Sequence, residues 1–172
     1  MNAAPGAWQR AQSLVTRLHD AVNRHDADAI GALCTPDVQW IDPAAGGLLD
    51  GREAVLRFHR EVMFRAIPDV RLRLLEGPHL SGDGSGVAVR VAITGTMTGR
   101  LDPPGFAPTG RRIEFETGEF SLLRGEHLQR HVVMLDMLDL ARQIGAVPRA
   151  GGLADRVGRH LQHIAAWKMR RC

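Results

Sequence analysis

His131, Glu119 and Asp42 are the side chains of this 172-residue chain whose types and placement suit proton transfer. Ile113–Leu123 and Leu128–Leu135 have the apolar alternation of strands, and Arg124–Gly125–Glu126 between them reads as a tight turn. With a three-residue turn, Leu123 pairs with His127, which sets Glu119 opposite His131 and Thr117 opposite Val133. Opposite residues share a sheet face with side chains ~4.5–5.5 Å apart. A carboxylate in that position orients an imidazole, fixes its tautomer and raises its pKa, which is what a general base near neutral pH needs. The competing reading is a satisfied, partly buried Glu–His hydrogen bond with no chemistry, and a two-residue turn would shift the register by one.

Trp40 and Asp42 share one face of the short strand Val38–Asp42, which stops at Pro43. Asp42 suits a second acid and Trp40 a flat wall for an aromatic ligand; the alternative is a turn-forming aspartate beside a core tryptophan. His59 sits among Val55, Phe58 and Val62, where plain packing competes with a place in a pocket. Met97 reads as core or pocket wall. Ser121 has no nucleophile-elbow context, and the GDGSG run at Gly82–Gly86 is a hairpin turn, since no helix or lysine follows it. His160 and His163 lack a third ligand, and Cys34 and Cys172 form neither a zinc pattern nor a disulfide framework, so no metal is expected.

Helices and strands must position these groups. Trp8, Ala11, Leu14, Val15, Leu18, Ala21 and Val22 follow the steps of an amphipathic helix over 8–25. Asp26 caps a short second helix, and Arg52–Ala66 forms a third that Pro68 ends. Gly46–Gly51 reads as a loop. From Val70 the period becomes alternating, with a first strand that stops at Glu76–Pro78 and a long one over Val87–Thr98. Leu101–Gly110 holds three prolines and two glycines and cannot be a central strand. Phe120, Leu122, Leu128, Val132 and Met134 fall on the sheet face away from Glu119, a candidate dimer interface. Asp136 caps a last helix through Ile144, with Gly145 beyond it. Three helices, a run of antiparallel strands and a final helix predict an α+β fold with helices on one face of a curved sheet. Leu153–Met169 then has helical apolar spacing behind a glycine-rich hinge, suited to packing on the body or a second subunit, or else to a membrane surface.

Composition narrows the function classes. The chain has 22 basic and 19 acidic residues, and Lys168 is its one lysine. Only 5% is aromatic, with no tyrosine, which argues against a nucleic-acid partner. No apolar run approaches the ~18 residues of a membrane span, and MNAAPGAWQRAQ is not a secretory signal, so a cytoplasmic protein is expected.

Pro68–Asp69 after a helix, GTMTG at Gly95–Gly99, PTGRRIEF at Pro108–Phe115 and DMLDLARQIGAVP at Asp136–Pro148 occur in an order that resembles the SnoaL-like polyketide cyclases, or ester cyclases. These belong to the nuclear-transport-factor-2-like, ketosteroid-isomerase-like superfamily. The resemblance covers roughly residues 8–148, and it sets a domain over 1–148 apart from a helical extension over 149–172. It implies a cone of curved antiparallel sheet closed by helices around an apolar pocket. It also implies a homodimer, a hydrophobic polyketide-like small molecule, no cofactor, and ring closure by intramolecular aldol chemistry. Epoxide opening, dehydration and non-catalytic binding occur on the same scaffold. The cyclases carry an acid/base aspartate two residues after a histidine on the last strand. Here the histidine is His131, but that position is Val133, which cannot move a proton. On this reading His131, Glu119 and Asp42 carry the chemistry, and Trp40, His59, Met97, Thr117, Val133 and Asp136 line the pocket.

Overall fold

The computed structural model describes residues 6–148 and 150–170; Cys172 lies outside them. Helix α1 (Ala7–Asn23) buries the predicted stripe of Ala11, Leu14, Val15, Leu18, Ala21 and Val22. Trp8 departs from expectation at 50% exposed, while His19, unremarked in the sequence, is buried. The Asp26 carboxylate accepts the Ala29 N–H at 2.8 Å and so caps α2 (Ala27–Ala32).

Strand β1 (Cys34–Asp42) begins earlier than the predicted Val38. The expected loop after it is instead a short strand, β2 (Gly47–Asp50), which pairs antiparallel with β1. Two features reverse the chain there: Asp42 accepts the Ala44 N–H at 2.8 Å, and Gly46 takes φ 77°. Arg52–Ala66, predicted as one helix, is α3 (Arg52–Arg57), a π-helical turn (Phe58–Met63) and α4 (Phe64–Ala66). Single π turns are a common device near functional sites.

Strand β3 (Arg71–Leu80) runs through Glu76–Pro78, where the sequence predicted a stop. It is an edge strand, and the ladder is irregular between Leu74 and His79, where a proline can be tolerated. Strands β4 (Gly86–Thr96), β5 (Arg112–Arg124) and β6 (His127–Leu135) follow within two residues of expectation. The spatial order is β2-β1-β6-β5-β4-β3. Every neighbouring pair is antiparallel except β1 and β6, which are parallel. Helix α1 packs on β3, and α3 packs on α2 and β1, so the site lies between these helices and the inner face of the sheet.

Helix α5 (Met137–Ile144) starts at Asp136, whose carboxylate accepts the N–H groups of Leu138 and Asp139 at 2.9 Å each. Gly145 ends it at φ 82°. Helix α6 (Leu153–Met169) follows, with Leu153 and Leu161 exposed. No helix among the described residues is long and apolar enough to cross a membrane. The GTMTG run has a packing explanation. A side chain at Gly95 would collide with Ile67, and one at Gly99 would meet the Arg65 carbonyl.

The β5–β6 register differs from expectation. The turn is two residues, with Arg124 opposite His127, and a bulge at Gln129 moves the pairing once more. Glu119 therefore faces Val133, His131 faces Ser121, and Thr117 faces Leu135. Two single-residue slips leave parity unchanged, so Glu119 and His131 still share the inner face as diagonal neighbours. Before the bulge parity is reversed: Leu128, expected outside, is fully buried. Phe120, Leu122 and Met134 do lie on the outer face, 47%, 40% and 59% exposed.

Candidate active site

Glu119 is the centre of the site. Its side chain is buried on β5, with Thr117 beside it on the same face; the Thr117 hydroxyl lies 3.5 Å from Oε1. Helix α1 brings His19 onto the other oxygen, Nε2 to Oε2 at 3.4 Å, where the imidazole N–H donates to the carboxylate. His131 Nε2 lies 3.9 Å from the same Oε2, close enough for charge interaction but too long for a hydrogen bond. One carboxylate oxygen thus stands between imidazoles from a helix and a strand.

Burial pushes the Glu119 pKa up, but the His19 hydrogen bond, the neighbouring imidazoles and the Thr117 hydroxyl outweigh it and hold the pKa below the usual carboxylate value. Burial lowers the His131 pKa, and the Glu119 carboxylate offsets this only in part. At neutral pH His131 is therefore neutral and Glu119 ionised. His131 Nδ1 sits 2.9 Å from Ser121 Oγ. When Nδ1 carries the proton and donates it to Ser121, the Nε2 lone pair is left beside Glu119.

Strand β1 supplies Trp40 and Asp42 to the same cavity, as their shared face predicts. The Trp40 ring lies against His131 with centroids 4.1 Å apart, and it meets His59 in a T-shaped contact at 5.2 Å. Asp42 has its pKa raised to about 6. Burial is the main cause, the Ala44 N–H opposes it, and the nearby Glu119 charge adds to it. Two carboxyl groups of one cavity are thereby pushed in opposite directions, the pattern that separates an acid from a base. His59, in the π-helical turn, is fully buried and donates Nδ1–H to the Val55 carbonyl at 2.9 Å. Burial holds its pKa down at about 4, so it is neutral.

The cavity these groups share has a free volume of about 40 Å³. A second chamber of about 40 Å³, with an apolar lining that includes Phe58, Leu101, Phe115 and Leu140, lies against it. Asp42, Met63, Ile93 and Val133 line both. In the polar chamber all lining residues are buried except Met63 and Leu72, so its mouth lies between those two. Larger hollows, such as one of about 350 Å³ around Gly118 and Phe120, hold neither Asp42, Glu119 nor His131.

Thr117 and Val133 contribute to this cavity system as expected. Two expected lining residues do not. Met97 is buried in the core away from both chambers, and Asp136 is exposed because its carboxylate is taken up capping α5. His19 and Ser121 are the partners the sequence reading missed. His19 had one signal: it falls four residues after Val15 and three before Val22, on the stripe that α1 buries. Among the described residues no group of three or more His, Cys, Asp or Glu side chains could hold a metal ion.

Comparison with known proteins decides the family. The sequence profile of SnoaL-like polyketide cyclases matches residues 12–144. The chain belongs to the SnoaL-like polyketide cyclase family. A candidate SnoaL-like cyclase from Jannaschia sp. CCS1 superposes with a TM-score of 0.70 at 20% identity, over 86% of this chain and 99% of that one. AclR, a candidate hydroxylase from Streptomyces galilaeus, gives 0.68 at 20% identity, over 95% and 98% of the two chains. SalBIII, an epoxide hydrolase/cyclase-like enzyme of pyran ring formation in the polyether salinomycin, gives 0.61 at 23% identity, over 76% and 94%. No curated protein matches. At these identities the shared property is the SnoaL-like, ketosteroid-isomerase-like fold, which hosts more than one chemistry.

Proposed function

We propose that this SnoaL-like protein is an acid–base catalyst that closes a ring on an apolar, ketone-bearing small molecule of the polyketide type. The observation that carries the reading is the Glu119 carboxylate, buried beside a neutral His131 in a cavity that also holds the raised Asp42. His131 Nε2 takes a proton from the carbon next to a carbonyl, and the C–H electron pair moves into the carbonyl as an enolate. Glu119 stabilises the imidazolium formed, at short range in low dielectric. The enolate carbon bonds to a second carbonyl carbon, whose oxygen takes the proton of the Asp42 carboxyl group. Return of the His131 proton to Asp42 through solvent completes the cycle. A substrate of several rings is larger than the two chambers together, so it enters only as the side chains that line them move apart, the flexible Met63 among them.

The test needs no native substrate. Cyclohexanone in D2O exchanges its α-protons slowly, and NMR follows the exchange. The protein is expected to accelerate it, with Glu119→Gln lowering the acceleration by about 100-fold. No acceleration, or acceleration intact in both Glu119→Gln and His131→Ala, overturns the reading. Opening of an epoxide by an internal hydroxyl is the second reading. It uses the same acid, Asp42, on the epoxide oxygen, and is supported by the fold shared with SalBIII.

A further inference from the structure

No described residue of α6 is buried. Leu153, Val157, Leu161 and Ile164 recur at helical steps and form one stripe along it, yet they remain between 44% and 83% exposed. Arg156, Arg159 and His163 form a second exposed stripe on another side of the helix. Asp155, the one acid of α6, is used locally. It accepts the Gly151 N–H at 2.8 Å and pairs with Arg159 at 3.3 Å. Charge is segregated along the chain as well. Residues 149–172 hold six of the 22 basic and one of the 19 acidic residues, a balance of +5. The 16 basic and 18 acidic residues before them leave the rest of the chain at −2.

A helix of this length is marginal in water by itself, so its stripes call for a covering surface. Candidate surfaces differ in what they satisfy. A nucleic acid would neutralise the arginines but leave the aliphatic stripe in water. A second copy of the chain brings like charge. Another α6 carries the same basic stripe, and on the outer sheet face Arg130 stands directly opposite Leu122, within the apolar patch. An anionic lipid surface satisfies both stripes at once, the aliphatic one among acyl chains and the basic one among phosphates. We propose that α6 is a peripheral membrane-binding helix that docks the protein on an anionic lipid surface. The rest of the chain, at −2, gains nothing from such a surface, so binding localises to α6. The proposal stands apart from the acid–base reading of the cavity.

Co-sedimentation of the full chain with lipid vesicles tests this, with phosphatidylcholine alone and with roughly a third phosphatidylglycerol added. The protein is expected on the anionic vesicles and not on the neutral ones, and high salt is expected to weaken the binding. Two double variants separate the stripes. Arg156→Glu with Arg159→Glu should lower binding at least about tenfold through charge. Leu161→Gln with Ile164→Gln leaves the charge unchanged and should lower binding by at least about tenfold too, a loss that adsorption by charge alone does not produce. All four side chains are exposed, so thermal unfolding of the protein should be the same in every form. Absence from the anionic vesicles, equal binding to neutral ones, or binding intact in either variant overturns the proposal. So does a change of oligomeric state in Leu161→Gln with Ile164→Gln, followed by light scattering without lipid, because a second copy then covers the stripe. None of these readouts depends on turnover, so failure here is distinct from failure of the acid–base reading.

Discussion

Glu119 lies directly opposite Val133 across the β5–β6 ladder, and both line the cavity. The position where the cyclases place an aspartate is thus apolar, and the carboxylate stands on the neighbouring strand at the facing residue. It meets the same histidine from across the ladder instead of along it.

Moving the carboxylate back is therefore a meaningful experiment. Val133→Asp alone puts two carboxylates face to face and should destabilise the protein by about 1–3 kcal/mol at pH 7. Chemical denaturation checks that. Combined with Glu119→Gln, the same change should recover at least tenfold of the lost α-proton exchange, since the new carboxylate stands two residues from His131 on the same face of β6.

Asp42 and His59 predict opposite pH effects on stability. With the folded pKa of His59 near 4 against 6.5, the unfolded chain protonates first, so stability falls as pH drops from 6.5 to 4. With Asp42 near 6 against 3.8, the unfolded chain ionises first, so stability is present below 3.8 and is lost as pH rises to 6. The two nearly cancel across the shared window. Asp42→Asn removes one of them. Relative to this variant, the wild type should lose stability by up to about 3 kcal/mol between pH 3.8 and 6, and then stay level. Urea denaturation at a series of pH values measures it.

Trp40 reports on His131. Trp8 is 50% exposed and Trp167 49%, whereas Trp40 is buried 4.1 Å from the His131 ring. A protonated imidazole quenches indole emission and a neutral one does so weakly. Because burial lowers the His131 pKa, the blue-shifted emission should hold down to pH 6.5 and fall only below it. The difference spectrum against Trp40→Phe isolates this signal, and a fall above pH 6.5 would contradict the assigned direction.

The outer sheet face carries Phe120, Leu122 and Met134, all at least 40% exposed, an apolar patch suited to self-association. Size-exclusion chromatography with light scattering is expected to show a homodimer. Phe120→Lys should weaken it at least tenfold, with α-proton exchange lost only to the extent that the cavity depends on the pairing.

Much of the fold is legible in the sequence because each element has a periodicity of its own. The alternation of β4 to β6 also tells which side chains share a face, and so brings Glu119, His131, Thr117 and Val133 together. Register is a different quantity. It depends on the turn at Gly125–Glu126 and on the bulge at Gln129, which no period reveals. Strand β2 was hidden because four residues are too few to show alternation, and the strand through Pro78 because an edge position relaxes the usual prohibition. Asp136 illustrates a competition that the sequence states but does not resolve: a carboxylate that caps a helix is no longer free to face a pocket. His19 shows on the stripe that α1 buries, but its meeting with Glu119 of β5 is a long-range fact carried by no local pattern.

Access to the cavity has a kinetic meaning. Its mouth is bounded by the side chains of Met63 and Leu72, with no loop folded over it among the lining residues. Opening then needs rotamer changes, which in partly exposed side chains take picoseconds to nanoseconds, whereas lid motions take microseconds or longer. If the proposed ring closure takes place here, its pace is set by the bond-making steps rather than by a lid.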